Sequence, residues 1–140
     1  MAAANLNTIR STIEGRLATE LAGSPVIPVV FNNMPYTPTP ASSWVQCVVS
    51  FGENVYITQG SSSGSDNLLV GIVSLNIFTP AGVGAGANLT IGKRIRDLYN
   101  RADVSGVYFD PPNGPSILTP SPEGYFQSQL TITFEVIEEL

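Results

Sequence analysis

Apolar and polar positions alternate along this chain with two different periods. Leu6, Ile9, Ile13, Leu17 and Leu21 recur every three or four residues. That spacing gathers them into one stripe, the mark of a one-sided amphipathic helix. Asn5 or Asn7 is placed to cap its start, and Gly23 and Pro25 to end it. Arg10/Glu14 and Arg16/Glu20 stand at i,i+4, the spacing for ion pairs along a helix. Ala87, Ile91, Ile95, Leu98 and Ala102 form a second, narrower helical stripe, with Lys93/Asp97 and Asp97/Arg101 as pairs on its polar side.

Elsewhere the period is two. From Ser43 to Thr58, Val45, Cys47, Val49 and Phe51 share one face, and Trp44, Gln46, Val48 and Ser50 the other. Leu68–Thr79 repeats the pattern with Val73, Leu75 and Ile77. Gly124–Ile137 carries the clearest alternation. Phe126, Leu130, Ile132, Phe134 and Val136 face inward with Ser128 in register, and Tyr125, Gln127, Gln129, Thr131, Thr133 and Glu135 face outward. Val26–Phe31, with Pro28 inside it, and Val104–Phe109 read as short strands, the first at a sheet edge. Asp110–Ser116 is turn chemistry, with Ile117–Leu118 pairing back briefly. Gln59–Asn67 offers nothing to bury and reads as a mobile tip between two strands. The expected fold is α+β. It has a mainly antiparallel sheet with a long hairpin and two helices packed on one face, in a single domain over residues 1–140.

Between the first two strands lies FNNMPYTPTP, from Phe31 to Pro40. Three prolines keep it extended and out of helix or central strand. A stiff aromatic arm of this kind is expected to touch another molecule.

Composition points the same way. Charged residues are only 12% of the chain, about half the usual fraction, which suits a surface covered by partners. The net charge of −5 argues against a general nucleic-acid binder. All six basic residues fall in the two helical segments, which are net +3 against −8 for the remainder. Such a split fits contact between copies, the basic layer of one facing an acidic edge of the next. Met1–Asn5 does not read as a secretory signal and no apolar run is long enough to span a bilayer, so a reducing cytoplasm is expected at folding.

Catalytic chemistry is hard to assemble from these residues. There is no histidine, and the one cysteine, Cys47, sits in an apolar alternation where a buried, inert thiol is expected. Gly82, Gly84 and Gly86 precede a helix without the lysine of a phosphate loop. Asp103, Asp110, Glu53 and Asp66 match no calcium-loop spacing. The expectation is a protein that is not an enzyme, with no cofactor and no metal.

The order of these features resembles one family. The arm Phe31-Asn32-Asn33-Met34-Pro35-Tyr36-Thr37-Pro38 follows a short strand. After it come Trp44 with its strand, a Ser/Gly-rich tip, a strand ending near Phe78-Thr79-Pro80, and a helix reading Gly92-Lys93-Arg94-Ile95-Arg96-Asp97-Leu98-Tyr99. This is similar to the tail-terminator-like proteins of long-tailed bacteriophages, over most of the chain. The resemblance implies a virion protein assembled in a bacterial host. It would form a hexameric ring that caps the tail tube, stops its polymerisation and joins it to the head-side connector, with DNA passing through the lumen. A neck or head-completion protein or another minor tail component is the nearest alternative, and a ligand-binding β module a more distant one. Asn33, Pro35, Tyr36, Trp44, Arg94 and Arg101 are then expected at subunit boundaries, and the tip residues Gly60, Ser62, Gly64 and Asp66 at a docking surface.

Overall fold

The computed structural model describes residues 5–38, 42–60, 64–119 and 121–139. Helix α1 spans Leu6–Leu21, and the Asn5 side chain accepts a hydrogen bond from the Thr8 N–H at 3.1 Å. Ile9, Ile13, Leu17 and Leu21 are buried as their spacing requires. Leu6 is not: at the first helical position it overhangs the core and stays 48% exposed.

Strand β1 is Val29–Phe31, so Pro28 stands just outside the ladder. It runs parallel to β2 (Trp44–Tyr56), with Val29 opposite Val45. β2 pairs antiparallel with β3 (Asp66–Pro80) over almost its whole length, shifting register between Phe51 and Asn54. After helix α2 (Gly86–Tyr99) come β4 (Asp103–Val104), β5 (Val107–Phe109), β6 (Asn113–Leu118) and β7 (Tyr125–Glu139). The strand order is β1-β2-β3-β7-β5-β4, with β6 paired to β7 as well. The fold is α+β, its sheet antiparallel except at β1–β2.

Three boundaries differ from the sequence expectation. Asp66 and Asn67 belong to β3 rather than to a mobile tip. The Asp66 carbonyl accepts from the Ile57 N–H at 3.0 Å, its own N–H donates to Thr58 Oγ1 at 2.8 Å, and β7 flanks both residues through Glu139 and Glu138. The turn after Phe109 is shorter than its composition implied, because Asn113–Leu118 pairs with Thr131–Gln127 despite Gly114 and Pro115. Ala87 is exposed, and α2 buries Asn88, Ile91, Gly92, Ile95 and Tyr99 instead.

The inward residues of the three long strands join both helices in one core. Val45, Cys47, Val73, Leu75, Ile77, Leu130, Ile132 and Phe134 are fully buried together with Ile13, Leu17, Ile95 and Tyr99. Two polar devices lock this layer. The Tyr99 hydroxyl donates to the Ile13 carbonyl at 2.8 Å, tying α2 to α1. Asn88 donates to the carbonyls of Ile77 at 3.0 Å and Phe126 at 3.2 Å and to Thr79 Oγ1 at 3.2 Å, while its own oxygen accepts from Ser128 Oγ. Burial pushes the Cys47 thiol up to about 12, with the Glu14 carboxylate adding to the shift, and it raises the Tyr99 phenol as well.

Candidate functional site

The side chains of β2, β3 and β7 that alternate away from the core form a second face. Its rows follow from register: Trp44, Phe78 and Gln127; Gln46, Asn76 and Gln129; Val48, Ser74 and Thr131; Ser50, Ile72 and Thr133. None of these twelve residues is charged. Amides stitch the strands together here. Asn76 Nδ2 donates to Gln46 Oε1 at 3.1 Å, and Asn76 Oδ1 accepts from Gln127 at 3.1 Å and Gln129 at 3.3 Å. Ile72 is 46% exposed at the centre of the face.

One end of this face is aromatic. Trp44 stacks on Phe78 with ring centroids 4.2 Å apart, and Tyr125 meets both rings edge-on at 6.3 and 6.2 Å. The proline arm closes over this cluster through Tyr36, whose ring lies 5.2 Å from Trp44. Tyr36 is half-buried, whereas Asn33, Met34 and Pro35 are exposed. Asn33 holds a left-handed φ of 61°, which its short amide side chain tolerates. A cavity of about 400 Å³ opens between the arm and the sheet, lined by Val30, Asn32, Asn33, Pro35 and Gln46 among others. The Trp44 indole N–H is buried with no hydrogen-bond partner. A buried donor left unpaired costs on the order of 1–3 kcal/mol, so the arm covers the tryptophan at an energetic disadvantage.

The expected boundary residues therefore separate. Asn33, Pro35, Tyr36 and Trp44 come together at one end of the uncharged face. Arg94 does not join them. Its guanidinium points back into its own subunit, onto the carbonyls of Glu20, Gly23 and Pro25 and the Glu20 carboxylate at 3.3 Å. Arg101 lies on the far side of the sheet, just past α2, exposed and with a φ of 56°. Of the tip residues, Gly60 and Gly64 are exposed, Asp66 is part of β3, and Ser62 lies outside the described residues.

The charge split is largely consumed inside the chain. Arg10 meets Glu14 at 2.5 Å and Lys93 meets Asp97 at 2.6 Å. The expected Arg16/Glu20 pair is absent from the described ion pairs: Arg16 donates to the Leu98 carbonyl at 2.8 and 3.1 Å, and Glu20 turns to Arg94. The gap between the helices is narrow enough that a long side chain reaches a carbonyl across it, and this satisfies the end of α2. Arg96 and Arg101 remain exposed and engage no carboxylate among the described residues.

Sequence reading missed Asn88 and Tyr99, the two polar side chains most deeply tied into the core. Tyr99 had a signal, since it stands four residues after Ile95. Asn88 had none, because an amide beside a helix start reads as surface.

No group of three or more His, Cys, Asp or Glu residues capable of holding a metal ion occurs among the described residues. No described helix is long and apolar enough to cross a membrane.

No protein-family model matches the chain, and no curated protein matches it. Seventeen chains of solved structures do. One of them, a protein without a descriptive name, aligns with a TM-score of 0.72 at 17% identity, over 94% of this chain and 95% of its own. At that identity the likeness establishes the fold.

Proposed function

We propose that this chain is a structural subunit of a bacteriophage tail. In this reading it forms a six-membered ring that caps the tail tube, stops its growth and offers a joint to the head-side connector. The observation that carries the reading is the uncharged outer face with the proline arm at its end. We take both helices to cover one side of the sheet and the long β2–β3 hairpin to extend it. The other side, with its twelve uncharged positions, then faces neighbours. Amide and threonine rows of this kind suit contact with other sheets, and they lack the cations that would hold passing DNA. The exposed, stiff Asn33–Pro35 segment loses little entropy when laid on a neighbour. A role without catalysis, cofactor or metal fits a chain with no histidine and one inert thiol.

An antibody against this chain, made visible with gold on purified particles, should mark the head-proximal end of the tail. Label on the head vertex or along the tail would favour a neck or minor tail protein instead, and absence from particles would overturn the structural reading.

A further inference from the structure

β1 covers β2 only from Val45 to Cys47. Beyond that point β2 continues to Tyr56 with a partner, β3, on one side alone. The direction of its free groups follows from the hydrogen bonding. Val45 donates to the Pro28 carbonyl at 3.0 Å, on the β1 side, so Val49 and Phe51 in the same alternation also turn their N–H and C=O away from β3. Past the register shift Asn54 and Tyr56 do so too, consistent with the Ile57 N–H bonding back to Asp66 at 3.0 Å. Among the described residues no backbone bond reaches this edge. An open edge normally invites another chain unless charges, prolines or shortness protect it. This one has a bulge and a single charge, Glu53.

The same end of the sheet is both apolar and acidic. Tyr56 is 81% exposed, with Ile57 and Ile137 about half exposed beside it. Glu53, Asp66, Glu138 and Glu139 are gathered there by register, and no Lys or Arg occurs anywhere between Arg16 and Lys93. On the opposite side of the sheet, past β4 and β5, lies a cleft of about 520 Å³ lined by Arg101, Asp103, Tyr108, Asp110 and Pro111 among others. Arg101 offers it a cation with no carboxylate partner, held by a left-handed backbone that few arginines adopt.

We propose that these two ends meet between copies of the chain: the β2 edge, led by Tyr56, seats in the Arg101 cleft of the next copy. Tyr56 and the cleft lie on opposite sides of one sheet, so a chain cannot make this contact with itself. The contact is head-to-tail and generates a closed ring or a filament. Its chemistry is matched. The phenol of Tyr56 donates to the cleft carboxylates Asp103 and Asp110, and Arg101 takes up Glu53, each a charge-assisted bond. The placement rests on the ring reading above but commits to one surface within it.

Cysteine cross-linking tests it, because Cys47 is buried and unreactive. Ile57→Cys and Asn100→Cys in one chain should give an oxidised ladder of multimers, and a mixture of the two single variants should stop at dimers. Tyr56→Ser and Arg101→Asn, the latter chosen to tolerate the left-handed backbone, should each weaken association at least tenfold. Glu53→Arg with Arg101→Glu should restore what either reversal alone destroys. A multimer that neither cross-links at these positions nor responds to these variants overturns the contact and leaves the ring standing. A wild-type chain that stays monomeric and shows no cross-link overturns both.

Discussion

Replacing Asn88 by leucine, which keeps the bulk and removes the amide, is expected to cost about 3 kcal/mol of folding stability. The residue is fully buried and bonds four partners on three elements: Ile77 and Thr79 in β3, and Phe126 and Ser128 in β7, all from α2. Leucine would strand the Thr79 and Ser128 hydroxyls, both fully buried, in an apolar setting. Buried polar groups left without partners cost more than the bond they lose. A domain of this size is stable by only about 5–15 kcal/mol, so the loss is a large fraction of the whole. Urea unfolding checks it: the midpoint should fall by about 1 M or more at unchanged slope. A loss under about 1 kcal/mol would mean that water replaces the amide and that Asn88 is not the clamp between α2 and the sheet.

Gly71→Ala is expected to be nearly as severe for the opposite reason. A Cβ at this position would stand 2.2 Å from the Phe134 ring and 2.7 Å from the Ser50 carbonyl. Phe134 is fully buried, with Phe51 edge-on at 5.9 Å and Phe109 at 6.5 Å, so the ring has little room to retreat. Overpacking of this kind costs roughly 1–3 kcal/mol, and the upper end is expected here. The cause can be isolated by a double-mutant cycle. With Phe134→Leu as background the alanine should cost at least about 1 kcal/mol less, since the smaller side chain yields the space. Equal cost in both backgrounds would place the strain in the backbone instead.

These two positions mark where sequence reading stops. Periodicity located both helices and the long strands, because burying one face of each imposes a period of 3.6 or 2 on the apolar residues. It failed where one residue answers to a distant one. Gly71 is glycine because Phe134, 63 positions away, fills its place across the β3–β7 pair. Asn88 is buried because three strand-borne groups converge on it. Arg94 looked like surface charge in the helix pattern, and only the packing of α2 against the end of α1 turns it inward. The arm was legible as a stiff extended segment. That Tyr36 folds onto Trp44, leaving Asn33 and Pro35 outside, depends on β2 presenting Trp44 on the face away from the core. Strand limits at Asp66 and Asn113 were blurred for a related reason. Glycine, proline and asparagine signal turns, yet β7 supplies enough pairing on both flanks to hold those residues in the sheet.

The central claim is that a small, charge-poor chain presents its uncharged sheet face and proline arm to copies of itself in a ring. Native mass measurement on the purified chain, across a concentration series, tests this most directly. The account predicts a dominant species six times the 14.8 kDa subunit mass, annular when imaged, that dissociates when the arm residues Asn33, Pro35 and Tyr36 are replaced together. A chain that stays at one subunit mass at the highest concentration reached, with or without its arm, would contradict it.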